Sequence, residues 1–250
     1  MFLQAIGGRV GGDPEPAGRR GPVRAHPLGH TGPMLVMIDL DNTLNDRAAA
    51  LGRWLEDFCS ARDLPADAGR WILANDADGY GDRRAVFGSI RDRFGLDDSV
   101  DDLLATYRLG IREHLREVPG AADCLRRLRA AGATTVIVSN GTGEAQQFKI
   151  DALGFRQLVD GVVVSGQAGV AKPDPRIFEL AAEAVDADLD GSWVVGDSAA
   201  HDIEGAKRLG LRSIWIRRGR SWPAPTPGPT AIVDRLDEVA PIILDDAEGR

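Results

Sequence analysis

Residues 35–43 read LVMIDLDNT, an apolar run that ends in two carboxylates two positions apart. Alternate side chains of an extended strand point to the same side, so Asp39 and Asp41 are expected to lie together where a buried strand ends. Two acids in that position indicate either a metal site or a nucleophile paired with a general acid. An acidic turn is the competing interpretation, since Asp and Asn are common turn residues. The remainder of the sequence has to decide between them.

The composition predicts a soluble globular protein that binds neither nucleic acid nor membrane. The chain has 250 residues, 43% of them hydrophobic, which is enough to bury a full core. Its net charge of -8 is opposite to the basic footprint that nucleic acid requires. No apolar run approaches the roughly 18 residues that span a bilayer. Cys59 and Cys124 are too few for a disulfide framework, so a reducing, cytoplasmic location is predicted.

Residues 1–33 are rich in Gly, Pro and Arg and show neither helical nor strand periodicity, which predicts a flexible tail. Met34 directly precedes the first predicted strand. We therefore hypothesise that the native protein starts at Met34 and that the tail is not native. The intact mass of the natively expressed protein tests this hypothesis.

Residues 46–118 carry apolar side chains at three- and four-residue intervals, the pattern of amphipathic helices. Four helices are predicted, within AAALGRWLEDFCSARDL, AGRWILAND, RAVFGSIRDRF and SVDDLLATYRLGIREHL. The predicted helix-capping residues are Asp67, Asp82 and Ser99 at N-termini and Gly95 at a C-terminus.

After residue 118 the pattern alternates between helices and short β-rich runs, which predicts a parallel sheet with helices on both faces. The predicted strands are 134–139, 161–165, 192–196 and 212–216; the predicted helices are 120–131, 143–153, 174–185 and 201–209; a last pair lies in AIV and DRLDEVAPIIL. The fold class is therefore α/β, with a Rossmann-like core made of residues 34–45 and 119–250. Residues 46–118 become an all-helical cap inserted after the first strand, beside the edge where such sheets bind ligands.

Three further polar clusters follow strands of this sheet and are expected at the same edge. Ser139 and Asn140 end one strand and begin a helix, where hydroxyl and amide groups suit an anion, although a simple helix cap is the alternative. Lys172 precedes a helix and is held in place by Pro173 and Pro175.

The third cluster is GDSAAHD at 196–202, in which Asp197 repeats the strand-end acid and Asp202 follows at a helix start. Several carboxylates without a His or Cys cluster are hard oxygen ligands, which favour Mg²⁺ over zinc or copper. Mg²⁺ and a lysine around a carboxylate indicate phosphoryl transfer.

This set of motifs resembles the haloacid dehalogenase-like (HAD) hydrolase superfamily, in particular its phosphatases with a helical cap after the first motif. The matching elements occur in the family's order: D-x-D-x-T at 39–43, Ser139, Lys172, and G-D-x-x-x-x-D at 196–202. The resemblance covers roughly residues 34–240, so only the tail lies outside it.

The resemblance implies a Mg²⁺-dependent phosphatase that hydrolyses a small organic phosphate monoester through an aspartyl-phosphate. Asp39 would be the nucleophile, and Asp41 the general acid and then the general base. Mg²⁺ would be bound by the Asp39 carboxylate, the Asp41 carbonyl and Asp197, with Asp202 in a supporting role.

The resemblance also implies a set of phosphate-binding groups. Lys172 and Ser139, with backbone amides near Leu40 and Asn140, would bind the phosphoryl oxygens. Thr43 belongs to the same group and is expected to tie the turn of the first motif together.

Three alternatives stay open: a haloacid dehalogenase, a phosphomutase of the same fold, and a non-catalytic relative. A halide leaves without a proton, so a dehalogenase does not need Asp41. Loss of Asp39 or Asp197 would favour the non-catalytic relative, and both are present.

Substrate specificity is expected to reside in the cap. The candidate residues are Arg47, Asp76, Tyr80, Arg83 and Arg84, with a solvated loop as the alternative. Trp54 is predicted to lie in the cap core, and His114 and His201 receive no role. The basic run 217–220 is expected near the active edge. The expected partner is a small phosphorylated metabolite, bound by a monomer or a homodimer.

Overall fold

The computed structural model describes residues 33–223 and 228–248. Within these residues a six-stranded parallel sheet has the order β3-β2-β1-β4-β5-β6, the order of a Rossmann-type doubly wound sheet. Its strands are β1 Leu35–Ile38, β2 Thr134–Ser139, β3 Gly161–Val164, β4 Trp193–Gly196, β5 Arg212–Ile216 and β6 Ala231–Val233. The predicted α/β Rossmann-like fold is therefore confirmed.

Strand β1 is central, with Ile38 in register with Ile137 of β2 and with Val195 of β4. Val36 and Ile38 pack into the hydrophobic cluster on one face of the sheet, and Leu35 and Met37 pack into the cluster on the other. A parallel strand covered on both faces requires apolar side chains at every position, which explains the continuous run at the start of the motif. The chain order reverses at β1, so the crevice beyond β1 and β4 is where such folds bind ligands.

Four helices follow β1 in the chain and share a hydrophobic cluster of their own. They are α1 Arg47–Ala61, α2 Ala68–Asp76, α3 Arg83–Phe94 and α4 Val100–Glu113. Trp54 is buried in that cluster, as predicted, and stacks on Phe58 with 4.7 Å between ring centroids. That these helices constitute a separate cap domain, residues 46–118, stays a prediction.

The ends of these helices show how local chemistry sets their bounds. The side chain of Asp82 accepts a hydrogen bond from the N–H of Arg84, and Ser99 accepts one from Asp102. Gly95 ends α3 with a φ of +62°, a conformation that favours glycine. Asp67 precedes α2 but makes no capping hydrogen bond, so its predicted capping role is not formed.

The remaining helices cover the sheet. They are α5 Ala121–Ala130, α6 Gly143–Ala152, α7 Ser165–Ala168, α8 Pro175–Glu183, α9 Glu204–Arg208 and α10 Val239–Glu248. Leu125 of α5 and Ile243 of α10 lie in the cluster on one face, and Phe178 of α8 and Ala206 of α9 lie in the cluster on the other. Helices on both faces were predicted.

Two details differ from the sequence prediction. The segment predicted as a helix over 201–209 is a π-type turn, Ala199–Ile203, followed by α9. The short helix α7 was not predicted.

The predicted flexible tail lies outside the described residues, apart from Pro33. Among the described residues, none of the helices has the length and apolar character needed to cross a membrane.

Candidate active site

Three buried carboxylates meet where β1 and β4 end. Asp39 extends the ladder beyond β1, since its N–H donates to the Val195 carbonyl at 2.9 Å, and Asp197 directly follows β4. Asp202 reaches the same point from the π-type turn. Each of the three offers a carboxylate oxygen, and these oxygens lie within 4.8 Å of one another. A Cβ on Gly196 would overlap the carboxylate of Asp202, so this close approach requires glycine.

Lys172 is buried between two of these acids. Its Nζ donates to Asp39 Oδ1 at 2.6 Å, to Asp202 Oδ1 at 2.6 Å and to the Val138 carbonyl at 2.8 Å. These contacts use all three donors of the ammonium group. Asn140 holds the backbone of the same residue, because its side chain donates to the Lys172 carbonyl and accepts from the Lys172 N–H. Lys172 is therefore a fixed charge, consistent with the rigid frame expected from Pro173 and Pro175, which follow it.

The crowding of acids changes their protonation. Burial raises the pKa of Asp39, and the charges of Asp202 and Asp197 add to this rise against the opposing effect of Lys172. Burial and Asp202 also raise the pKa of Asp197 to about 6, although Arg220 and Arg218 oppose them. Burial disfavours the Lys172 ammonium, but Asp202 and Asp39 outweigh it and raise the pKa of the lysine. The carboxylates therefore need positive charge in addition to the lysine.

The oxygen atoms left free fit a hard divalent cation. Asp39 Oδ2 is buried and, among the described residues, has no hydrogen-bond partner. Both oxygens of Asp202 are occupied, by Lys172 and by the N–H of Ser198 at 3.0 Å. Of the Asp197 oxygens, Oδ2 accepts from Arg218 and Arg220, whereas Oδ1 has no partner in the described part of the chain. Buried carboxylate oxygens without donors are the ligands that Mg²⁺ prefers.

The arginines of the basic run 217–220 bind two different acids. Arg220 Nη2 donates to Asp197 Oδ2 at 2.9 Å, and Arg218 Nη1 lies 3.4 Å from the same oxygen. Arg217 instead pairs with Asp234 on the surface. Two of the arginines thus lie at the active edge, as expected from the position of the run after a strand.

Asp41 has a different environment from Asp39, although they are two residues apart. Lys149 Nζ lies 2.5 Å from Asp41 Oδ2, Gln146 Nε2 lies 3.1 Å from the same oxygen, and Asn45 Nδ2 donates to Oδ1 at 2.7 Å. Burial opposes ionisation, but Lys149, Arg47 and Asn45 together lower the pKa of Asp41 to about 2.

Gln146 and Lys149 were not identified from the sequence. They lie three residues apart on α6 and so share one face of the helix. Gln146 Nε2 also donates to Ser139 Oγ at 2.6 Å and so joins the second motif to the first. A polar pair at this spacing, in a helix that starts at a strand-end motif, is the signal that could have found them.

The expected phosphate-binding groups are placed as follows. Ser139 is buried beside Gln146, and the side chain of Asn140 is committed to the loop of Lys172. Among the described residues, the backbone N–H groups of Leu40 and Asn140 have no hydrogen-bond acceptor, so they are available to an anion. Thr43 is fully buried and its Oγ1 has no partner there, so its hydroxyl does not tie the turn together as expected.

The structure brings together three of the five candidate specificity residues. Arg47 and Arg83 both bind the carboxylate of Asp76. Tyr80 stacks on His201, with 4.0 Å between centroids and 6° between ring planes, so His201 has an aromatic partner that was not predicted. Arg84 is separate, because it lies on the surface of α3 and pairs with Asp101.

A crevice of about 530 Å³ lies between the loop after α2 and the start of the π-type turn. Asp78 and Tyr80 line one side, and Asp197, His201 and Arg220 line the other. Asp197, one of the three clustered acids, is thus accessible from the side of the helical insertion.

The chain is similar to proteins of known activity. One is the glyceraldehyde 3-phosphate phosphatase of Pyrococcus abyssi, 38% identical over 107 residues, which are 43% of this chain and 45% of that protein. Another is (S)-2-haloacid dehalogenase 1 of a Pseudomonas species, 28% identical over 73% of this chain and 80% of that protein. The chain thus spans less than half the length of the phosphatase relative.

Among solved structures, YfnB of Bacillus subtilis, a HAD-type hydrolase bound to magnesium, matches with a TM-score of 0.72 and 22% identity. The match covers 85% of this chain and 99% of that one, and at this identity it shows a shared fold. The sequence profile of haloacid dehalogenase-like hydrolases matches residues 33–210, which include all the motif residues described above. The chain belongs to the haloacid dehalogenase-like hydrolase family.

Proposed function

We propose that this protein is a Mg²⁺-dependent phosphatase that hydrolyses a small organic phosphate monoester through an aspartyl-phosphate. The observation that carries the proposal is the contrast between the two strand-end acids. Asp39 is buried, fixed by Lys172 on one oxygen and free on the other. Asp41 is partly exposed and accepts hydrogen bonds from Lys149, Gln146 and Asn45. The similarity to a phosphatase supports the same conclusion.

In the first step, an oxygen of Asp39 forms a bond to phosphorus while the bond between phosphorus and the leaving oxygen breaks. Asp41, which is a carboxylate in the free protein, takes the proton carried by the substrate's phosphate group and gives it to that oxygen, which departs as an alcohol. A positioned proton donor typically contributes about 10²- to 10⁴-fold, because an alkoxide is a poor leaving group. The product on the enzyme is an acyl phosphate on Asp39.

In the second step, Asp41 is a carboxylate and takes a proton from a water molecule that attacks the phosphorus. The bond between phosphorus and Asp39 breaks, inorganic phosphate leaves, and the carboxylate of Asp39 is regenerated. The proton stays on Asp41 until exchange with solvent or transfer to the departing phosphate returns the enzyme to its starting state.

Positive charge and N–H donors would stabilise the transferring phosphoryl group. Lys172 lies beside Asp39, and the free N–H groups of Leu40 and Asn140 lie at the ends of β1 and β2. Mg²⁺ would be held by the free oxygens of Asp39 and Asp197 and by the Asp41 carbonyl, with Asp202 supporting. When bound, the ion supplies the charge that lets a carboxylate approach an anionic phosphate.

Asp41 favours this function over haloacid dehalogenation. Carbon–halogen cleavage releases a halide that needs no proton, whereas the leaving oxygen of a phosphate ester does, and Asp41 is the group that can pass a proton to it. The proposed partner is accordingly a small phosphorylated metabolite.

The test is hydrolysis of 4-nitrophenyl phosphate by the purified protein with Mg²⁺ and with EDTA. We expect turnover with Mg²⁺ that EDTA abolishes and that Asp39→Asn reduces to background. Asp41→Asn is expected to lose far more activity on an alkyl phosphate than on the aryl ester, whose leaving group needs little protonation. Wild-type turnover no higher than that of Asp39→Asn would exclude the proposed function.

A further inference from the structure

Two arginines of the helical insertion share a single carboxylate. Arg47, at the start of α1, donates from Nη2 to both oxygens of Asp76, at 2.9 and 2.8 Å. Arg83, at the start of α3, donates from Nη1 to the same carboxylate. The side chains of Arg47 and Asp76 are only 7% and 6% exposed. Because guanidinium groups stay charged, the cluster of these three side chains has a net charge of +1, with Arg83 its most exposed member at 27%.

Most of the donors of this pair are unused. Among the described residues, the hydrogen bonds of Arg47 and Arg83 involve one terminal nitrogen of each side chain. A guanidinium offers five N–H donors in a planar fork. The remaining donors can therefore bind a further acceptor.

The loop between α2 and α3 brings the two guanidiniums together. A Cβ on Gly79 would lie 2.9 Å from both Arg47 Cζ and Arg83 Nη2, so the loop backbone packs directly on the pair. Gly79 has a φ of +91°, which a side chain would also disfavour. The backbone of the loop therefore fixes the positions of the two guanidinium groups relative to each other.

The arginine pair lies on the leaving-group side of the proposed reaction. The N–H of Arg47 donates to the carbonyl of Asn45 at 2.8 Å, and the side chain of Asn45 donates to Asp41. Asp41 protonates the leaving oxygen, so the rest of the alcohol lies close to Asp41. On the other side of Gly79, Tyr80 stacks on His201, which fixes the loop against the turn that follows Asp197.

On the basis of the proposed phosphatase function, we propose that Arg47 and Arg83 bind a carboxylate on the leaving group, so the substrates are small phosphorylated hydroxy acids. A single negative charge neutralises the net charge of the cluster, and a planar carboxylate matches the guanidinium fork. Arg47 also faces the Asp41 carboxylate, and neutral sugar or nucleoside leaving groups would add no further negative charge to the pair.

The test compares 2-phosphoglycolate with 2-hydroxyethyl phosphate, in which a neutral alcohol replaces the carboxylate. We expect kcat/KM of the wild type to favour phosphoglycolate by about 10- to 100-fold, the range for hydrogen bonds to a charged group. Arg83→Met should reduce this preference to about threefold or less, mainly through a higher KM for phosphoglycolate. Arg91→Met is the matched control, because Arg91 lies on the same helix and pairs with the neighbouring Asp92.

A binding measurement separates this proposal from the phosphatase function itself. In Asp39→Asn protein with Mg²⁺, calorimetry should show about tenfold tighter binding of phosphoglycolate than of the neutral ester, and adding Arg83→Met should remove the difference. If this difference is present but the wild type hydrolyses neither ester, the phosphatase proposal fails and the carboxylate site stands. Equal affinity for the two esters, or an unchanged preference in Arg83→Met, overturns the carboxylate site.

Discussion

Asp39 and Asp41 carry the same functional group, yet their surroundings drive their protonation in opposite directions. Burial raises the pKa of Asp39 against the effect of Lys172, whereas Lys149, Arg47 and Asn45 outweigh burial and lower the pKa of Asp41 to about 2. Opposite shifts in two neighbouring acids are a common sign of a division of labour in catalysis. Here the acid that we propose as the proton donor is ionised in the free protein.

This ionisation predicts an alkaline decline in activity. Because Asp41 is a carboxylate above pH 2 or so, the proton for the leaving group must arrive with the substrate. A phosphate monoester loses its second proton near pH 6, so kcat/KM for an alkyl ester should fall about tenfold per pH unit well above that value. The measurement is kcat/KM from pH 5 to 9 at saturating Mg²⁺.

Two controls accompany this pH profile. An aryl phosphate with a good leaving group should show a weaker alkaline decline, because its departure needs little protonation. Lys149→Met removes the main charge that lowers the pKa of Asp41, yet the decline should stay near pH 6, because the substrate phosphate still holds the proton more tightly than Asp41 does. If kcat/KM for the alkyl ester stays constant up to pH 9, the substrate does not bring the proton.

The sequence was sufficient to predict the acids and Lys172 because each is tied to a local pattern: a buried strand that ends in a polar residue, or a lysine followed by two prolines. Gln146 and Lys149 lie 105 and 108 residues from Asp41 in the chain, and only the rotation of α6 brings them to it. The pairing of Arg47 and Arg83 through Asp76 likewise depends on how α1, α2 and α3 pack. The catalytic roles of all these residues stay predictions.

At the scale of elements, α6 is expected to position Asp41 through one face only. Gln146 is buried and contacts both Asp41 and Ser139, whereas Gln147 contacts Gln167 at the surface. Gln146→Ala should lower kcat about 10- to 100-fold, since one to two hydrogen bonds at the reacting groups are lost. Gln147→Ala, the same substitution one residue further along, should change kcat less than twofold. Equal effects of the two variants would show that α6 acts only as a packing element.

The end of β4 is expected to tolerate only glycine at position 196. A Cβ there would overlap the Asp202 carboxylate, so Gly196→Ala should displace Asp202 and, with it, the contact to Lys172. We expect loss of activity and at least about tenfold weaker Mg²⁺ affinity, a typical cost of disturbing groups that support metal ligands. Isothermal titration with Mg²⁺ measures the affinity directly.

Gly88 provides the matched control for this substitution. It lies within α3 and a Cβ there would meet nothing within 4 Å. Gly88→Ala should leave Mg²⁺ affinity unchanged and stabilise the fold by about 0.5–1 kcal/mol through helix propensity. Normal Mg²⁺ affinity in Gly196→Ala would mean that Asp202 has no supporting role.

The strands were predictable because each is a short apolar run bounded by polar turns. The exception among the helices is the segment after β4, where Ser198 accepts a hydrogen bond from the N–H of His201 and starts a π-type turn two residues before the predicted helix. Helix α7 has four residues and no periodicity to read, so the sequence contained no signal for it. Neither difference moves the motif residues away from the strand ends.

At the scale of the whole molecule, the active site concentrates negative charge in the interior. Asp39, Asp197 and Asp202 converge there, and Lys172 is the one cation of the described residues buried among them. Arg218 and Arg220 approach from the surface and are partly exposed. Such a cluster costs stability in the absence of further positive charge, because like charges with little water repel each other.

Metal binding and stability are therefore expected to be linked, and Asp197→Asn should separate the two effects. Mg²⁺ at about 100 times its Kd should stabilise the wild type by about 2.7 kcal/mol, which raises Tm by roughly 5–10 °C in a domain of this size. Asp197→Asn removes one of three repelling charges, so the EDTA-treated variant should melt above the EDTA-treated wild type. It should also show little or no increase in Tm with Mg²⁺, because a ligand is lost.

Asp92→Asn, which changes an exposed acid in the same way, should keep the full increase. Differential scanning calorimetry with EDTA and with Mg²⁺ decides the matter: a variant that melts lower without metal, or responds fully to Mg²⁺, would show that Asp197 is not a strained metal ligand.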